Sequence, residues 1–582
     1  MTCIIKKIVS IMIISNKVEF KPKLLSELKH YNAKKFKDDL IAGIVVGIVA
    51  LPLAIAFGIA SGVTPTEGLI TAIIGGFLVS ALGGNSVQIG GPTGAFIVIV
   101  YNIIQNFGLA GLAAATCMAG VILILLGVFK LGTVIKFIPY PIVIGFTSGI
   151  ALTIFSTQIA DLAGLKIDGA IPSDFISKWI VYFNNFGTVD FATLLVGIIT
   201  IAIIAATPYI SKKLPGALLA IVIMTAVVYL LREFYGLTSI QTIGDRFGSL
   251  PAEIPAPHTL RLDMNTINLL LPSAFTIAVL GAIESLLSAT VADGATGNST
   301  RSNTELIGQG MANVVVPFFG GIPVTGAIAR TMTNISNGGK TPVAGVIHAA
   351  VLMLIFLFLM PLINYVPMAC LAGVLVMVAY NMSGWRTIVA IFHNPKSDIA
   401  VLIVTFLLTV IFDLTIAIEI GLLLAVVLFL RRVMENTQVR VFSNQIDINE
   451  GNDIEQKEVL HIAKGVELYE IDGPFFFGVA TKFDEMMRSM GEKPLVRIIR
   501  MRRVPFIDST GIHNLEILIE SSKKENIHVV LSGVNDNVRA VLEKAGIQYL
   551  IGEDHICDHI TKAVKLANSL VVNKEYLREV NW

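Results

Sequence analysis

Apolar residues fall along this chain in long blocks, broken by short polar or Gly/Pro-rich stretches. Roughly 20 mostly apolar residues let a helix cross a bilayer, where lipid offers backbone groups no hydrogen-bond partner. Blocks of this kind begin at Leu40, Gly68, Thr93, Leu109, Phe137, Phe191, Gly216, Leu269, Leu306, Thr325, Val343, Val366, Asp398 and Leu414. They predict about fourteen spans, several too short to cross alone. The basic loops set the orientation: Lys34, Lys35 and Lys37 precede the first span, Lys130 and Lys136 follow the fourth, Lys212 and Lys213 the sixth, and Arg431 and Arg432 the last. An even count puts all of them on one side, so both termini are expected in the cytoplasm.

After Arg432 the pattern changes to one of short mixed segments. Leu495–Ile499 and His528–Leu531 read as strands, and Leu515–Lys524 and Asn537–Lys544 have helical periodicity. The expected organisation is an N-terminal cytoplasmic tail (1–38), a membrane domain (39–433), a polar linker (434–458), a soluble α/β domain (459–568) and a C-terminal tail (569–582).

Composition sharpens this division. Only 15% of the 582 residues are charged and 54% are hydrophobic, against about 25% charged in soluble proteins, which excludes a soluble enzyme over most of the length. Between Ile41 and Phe129 the sole charged side chain is Glu67. The net charge of +1 points to no nucleic-acid partner. Cys3, Cys117, Cys370 and Cys557 are too scattered for a metal or redox motif, so neither metal nor cofactor is expected. Lys6 and Lys7 before the apolar run Ile8–Ile14 lack a small-residue cleavage site after them and read as part of a cytoplasmic tail, with translation starting at Met1 or Met12.

The most informative feature is a repeat. Gly90-Gly91-Pro92-Thr93-Gly94-Ala95-Phe96 recurs as Gly320-Gly321-Ile322-Pro323-Val324-Thr325-Gly326-Ala327-Ile328, the Gly-Gly pairs lying 230 residues apart. The same offset carries the first span onto the eighth. Two seven-span copies must be inverted relative to each other, because an odd number of crossings reverses direction. In inverted-repeat transporters, paired Gly/Pro-broken segments mark the substrate site. Half-helices beginning at Thr93 and Thr325 would aim their N-termini at one another and cradle an anion with free N–H groups. The competing reading is a pair of ordinary kinks and close-packing glycines.

Charges inside apolar spans are costly, about 2.5–3.5 kcal/mol on insertion scales, and usually functional. Glu284 sits mid-span with Ser288 one turn away, and Arg330 lies four residues after Gly326. Arg330 is expected to line the anion site and Glu284, with Ser288, to couple a proton or cation; the alternative is a structural Glu284–Arg330 ion pair. Asp161, Asp293, Arg301 and Asp413 fall at span ends and read as loop charges. Gly338-Gly339-Lys340-Thr341 imitates the end of a P-loop, but Asn334 stands where that motif needs glycine and no strand precedes it. With no nucleotide motif elsewhere, transport driven by gradients is expected.

These residues resemble a known family. Leu51-Pro52-Leu53-Ala54-Ile55-Ala56-Phe57-Gly58-Ile59-Ala60-Ser61-Gly62, the Gly-Gly-Pro-Thr-Gly segment, Ile283-Glu284-Ser285-Leu286-Leu287 and Arg330 with its Gly-Gly-Lys-Thr sequel are similar to the SulP/SLC26 anion transporters. Asp472-Gly473-Pro474-Phe475-Phe476-Phe477-Gly478 and Val504-Pro505-Phe506-Ile507-Asp508-Ser509-Thr510-Gly511 resemble their C-terminal STAS domain. The resemblance covers about Lys35 to Asn568. It implies a polytopic fold of about fourteen helices in seven-plus-seven inverted repeats, with core and gate domains moving in elevator fashion, an anion between half-helices three and ten, and a homodimer in the inner (plasma) membrane. Carried over by position, the substrate residues are Phe57, Gly94, Ala95, Phe96, Gly326, Ala327 and Arg330, with Glu284 for coupling.

The expected cargo is a small inorganic oxyanion, sulfate first, moved with a proton or against a counter-anion. Bicarbonate or dicarboxylate transport is the alternative. Sodium-coupled relatives hold sodium with a hydroxyl two positions after Gly326, where this chain has Ile328, and they have an aspartate in place of Glu284. Leu53, where many eukaryotic relatives have glutamine, follows the bacterial pattern. A different class is an anion-sensing regulator acting through a cytoplasmic partner of the STAS domain; a channel is a further rival. In related antagonists the residue matching Thr510 is phosphorylated; here Ser509 and Thr510 are either such a regulatory pair or a plain helix cap.

Overall fold

The computed structural model describes residues 20–580 except 136–138, 170, 173, 211–214, 251, 254, 258–263, 394, 413, 443–444, 448–458 and 477–492. Lys136, Lys212, Lys213, Asp413, Phe477, Gly478 and the tail before residue 20 lie outside the described residues. The chain forms two compact units, Met1–Ala425 and Val426–Trp582.

The first unit is mainly helical, and nine of its described helices are long and apolar enough to cross a membrane. The expected spans appear in order, beginning with Ala33–Ala60 and continuing through a broken second span, Pro65–Leu82. A π-turn at Thr71–Gly75 interrupts that second span. The third and fourth spans run as one helix, Ile97–Val128, divided at Gly108, whose φ of 67° favours glycine. In the second repeat Met264–Thr296, Ser302–Val315 and Ile328–Ser336 match the first, second and third spans. Val343–Ile363, Met368–Met382, Lys396–Ile411 and Leu414–Asn436 complete the set.

The half-helices start later than the sequence suggests. Gly90–Gly91 and Thr325–Gly326 are extended and pair antiparallel, Gly90 opposite Gly326 and Gly91 opposite Thr325. Backbone engaged in that ladder is unavailable for helix. The first half-helix therefore begins with a 3-10 turn at Gly94–Phe96 and the second at Ile328. A continuous core of small, aliphatic and aromatic side chains, including Ala54, Phe57, Phe96, Ala278 and Leu286, surrounds this crossing.

The second unit carries a five-stranded sheet in the order 438–442, 466–472, 496–503, 528–532, 556–557, the first pair antiparallel and the rest parallel. Helices Ser509–Lys524, Asp536–Ala545 and Ile560–Val580 pack on it. Two expected boundaries shift. Gln438–Phe442, placed in a polar linker, is the edge strand, and its alternating Val439 and Val441 pack against the core. The supposed tail from 569 continues the last helix, where Val571 is 3% exposed and fills the core.

Candidate functional site

The crossing of the two short strands brings both half-helix N-termini together. At the second, the helical bonding begins with Thr331 N–H to the Ala327 carbonyl, so the N–H groups of Ile328, Ala329 and Arg330 have no intrahelical acceptor. Ala327 N–H itself is taken by the Ile89 carbonyl at 2.9 Å. At the first, Phe96 N–H donates to Thr93 O, which leaves Gly94 and Ala95 as the leading donors of that turn.

Arg330 reaches from the second half-helix to the segment leading the first. It is 2% exposed. One terminal nitrogen, Nη2, donates to the Pro92 carbonyl at 3.2 Å, and the other, Nη1, has no protein partner. A Cβ on Gly91 would lie 1.8 Å from Nη1, so glycine is required there for the guanidinium to pass. A buried cation with an unanswered donor is a group that a negative charge would satisfy. Glu284 is held one residue further along: Thr93 donates its hydroxyl to Glu284 Oε2 at 2.7 Å. The two charges thus flank the Pro92-Thr93 step, each with its own partner, and the expected alternative of a Glu284–Arg330 ion pair is not formed.

The other expected residues divide. Phe57 and Gly94 meet, the ring Cε1 3.5 Å from where a Gly94 Cβ would stand, with Met382 Sδ at 3.0 Å and Ile154 at 3.2 Å. Ala95 is fully buried, and Phe96 is buried against Gly281 of the eighth span. Gly326 faces away from this group, because a Cβ there would strike Gln88 Nε2 at 1.7 Å. Ser288 does not join Glu284: its hydroxyl donates to Thr331 Oγ1 at 3.3 Å, and Thr331 in turn accepts from Ile89 N–H. A serine one turn from Glu284 on the helix faces the second half-helix because that is where the eighth span packs.

Several residues organising the site went unmarked in the sequence. Glu305, 1% exposed, accepts from Gly84 N–H (2.7 Å), Asn85 N–H (3.1 Å), Ser285 (3.1 Å) and Gln88 (3.1 Å), fixing the loop that leads to the first half-helix. An acid one residue before the predicted start of the ninth span was the available signal. Asp39, fully buried, accepts from Lys340 N–H and Thr341 N–H at 2.7 and 3.1 Å. The P-loop look-alike is therefore an anion cradle after all, filled by a carboxylate of the first span. Thr71 of the π-turn ties down Ile322, accepting from its N–H at 2.7 Å. Of the span-end charges, Asp161 pairs with Arg246 at 2.8 Å, Asp293 accepts from Thr300, and Arg301 donates to the Lys21 carbonyl and Ser26.

In the second unit Asp508, not Ser509 or Thr510, caps helix Ser509–Lys524, accepting from Gly511 N–H at 2.7 Å. Ser509 and Thr510 are exposed in its first turn. Their hydroxyls are spared capping because the aspartate precedes them.

Residues 36–405 match the model of the Sulfate permease family and residues 459–563 that of the STAS domain. YvdB of Bacillus subtilis (strain 168), which bears the provisional name of a sulfate transporter, is 40% identical over 91% of this chain and 98% of its own. The bicarbonate transporter BicA of Picosynechococcus sp. is 30% identical over 88% of this chain and 91% of its own. The murine anion transporter Slc26a9, solved in an inward-facing state, shares the fold with a TM-score of 0.83 at 19% identity, covering 96% of both chains. With the family model covering residues 36–405 and a STAS domain following it, the chain belongs to the sulfate permease family of anion transporters.

Proposed function

We propose that this protein is a secondary active transporter of a small inorganic oxyanion, sulfate first, by proton symport or anion exchange. The observation that carries the reading is Arg330: a buried guanidinium with an unanswered Nη1, set where two half-helix N-termini converge. Phe57, Gly94, Ala95 and Phe96 form the apolar side of the anion site, Gly326 and Ala327 hold its backbone, and Glu284 couples the proton through its contact with Thr93. The anion moves as the half-helix core slides against the remaining spans. The protein acts as a homodimer in the inner membrane with both termini in the cytoplasm, and Ser509 and Thr510 are exposed for modification or for a cytoplasmic partner.

Uptake of labelled sulfate into proteoliposomes under an acid-outside gradient tests this. Accumulation that needs the gradient and is lost in Arg330→Gln supports it. No uptake of sulfate, bicarbonate or dicarboxylate above empty vesicles sinks it. A second reading, bicarbonate transport, is favoured by the likeness to BicA over nearly the whole chain. Coupling to sodium is disfavoured there, since Ile328 offers no oxygen ligand. Bicarbonate uptake exceeding that of sulfate and stimulated by protons would select it.

A further inference from the structure

Behind Arg330 lies a second polar group that the transport reading does not use. His348, in span Val343–Ile363, is fully buried, and neither ring nitrogen has a protein partner. Its ring packs against Gly76, just after the π-turn: a Cβ there would stand 3.4 Å from Cε1 and 3.6 Å from Nδ1, and 3.0 Å from the Gly90 carbonyl oxygen. Arg330 Nη1 presses on the next residue, Gly91. Two buried polar side chains, a His348 ring with neither nitrogen answered and an Arg330 guanidinium with Nη1 unanswered, thus lie on either side of the Gly90-Gly91 backbone, the ring across Gly76 and Nη1 against Gly91.

Orphaned polar atoms at such depth are rare in native structures and mark a bound water or ligand. The chemistry of the pair is complementary. A guanidinium only donates, whereas a neutral imidazole offers one acceptor and one donor. An apolar residue would fill the same space at no desolvation cost, and packing alone therefore gives no reason for histidine.

We infer that His348 is a positioning residue for the anion site, joined to Nη1 of Arg330 through a buried water that holds the guanidinium toward the half-helix N-termini. The inference rests on the reading of Arg330 as the anion-binding group. On it, the ring sets the direction of the positive charge, and the anion competes with or adds to the water at Nη1.

The test uses the full chain in proteoliposomes. His348→Leu is expected to raise the KM for sulfate by roughly tenfold, the size of one lost charge-assisted hydrogen bond, with Vmax and thermal stability held or improved. His348→Gln, which keeps a donor and an acceptor, should stay within about threefold of the wild type. A wild-type KM in His348→Leu overturns the inference and makes the ring a packing group. Should the Leu variant fail to fold, imidazole 15N spectra decide: the signal lost in His348→Gln identifies the ring, and it must shift in Arg330→Gln. An unshifted signal overturns the link to Arg330. If Arg330→Gln itself leaves transport intact, the anion-site reading fails, and the spectra still report on the His348–Arg330 contact separately.

Discussion

Two half-helices built from one repeated motif meet in the membrane unit, and their surroundings differ. The first starts under side chains: Gly94, Ala95 and Phe96 are all buried, and Gly94 lies beneath Phe57, Ile154 and Met382. The second starts in the open, with Ile328 43% exposed and Ala329 exposed beside it. The first carries no charge. The second carries Arg330, and that guanidinium turns back onto the carbonyl ahead of the first. Repetition thus supplies two converging backbone dipoles, while divergence gives one copy the charge and the other the carbonyl and hydroxyl that hold Arg330 and Glu284.

Removing the charge is the sharpest way to break this asymmetry. Arg330→Gln leaves both dipoles in place and should cut anion uptake by roughly a hundredfold, as expected when a charge-assisted contact worth about 3 kcal/mol is lost. Protein recovered as a monodisperse peak by size exclusion separates this from misfolding. Uptake within a few-fold of wild type would mean that the half-helix dipoles suffice alone.

The next effect falls on coupling. Glu284→Gln keeps an acceptor for Thr93 but can carry no extra proton. Accumulation driven by an acid-outside gradient should vanish while anion exchange at zero gradient persists. A variant that still accumulates anion against its gradient assigns coupling to another group.

Packing gives a third contrast. Ala at Gly326 would drive a methyl into Gln88 Nε2, which Ser285 and Glu305 hold in place. Ala at Gly94 would press on the mobile ends of Met382 and Ile154. Overpacking costs about 1–3 kcal/mol, so Gly326→Ala should lie at the upper end and lower the melting temperature in detergent. Gly94→Ala should fold nearly normally and change anion selectivity instead. Equal melting temperatures would refute the assignment of structural and binding roles to the two glycines.

Much of this was legible in the sequence, and the pattern of success is physical. The spans were readable because lipid forces every backbone group into a helix. The meeting of the half-helices was readable because a motif repeated across the two copies is unlike a chance kink, and Arg330 and Glu284 stood out because they interrupt apolar blocks. What escaped depended on tertiary pairing. The Gly90–Gly326 ladder, which delays both half-helices, has no local signal stronger than its glycines. Glu305, Asp39 and His348 went unmarked because burial is invisible in a single sequence. Ser288 was misplaced because helical spacing fixes a face without fixing which neighbour covers it.

The smallest predicted difference is also the most direct measure of how the repeat divided its labour. Thr93 and Thr325 occupy matching positions in the two motifs, and each donates its hydroxyl to the eighth span. Thr93 reaches the Glu284 carboxylate, whereas Thr325 reaches the Gly281 carbonyl at 2.9 Å. Valine preserves the shape of either side chain and removes the hydroxyl. At Thr325 it leaves one buried carbonyl short of a donor, costing about 1 kcal/mol of stability with transport intact. At Thr93 it frees the carboxylate proposed to couple the proton, so the melting temperature should hardly move while the proton dependence of uptake shifts. Measuring both variants side by side, by thermal melts and by uptake at several external pH values, tests the division within one experiment. If Thr325→Val shifts the pH dependence as much as Thr93→Val does, the two half-helices share the coupling role and the asymmetry is confined to Arg330.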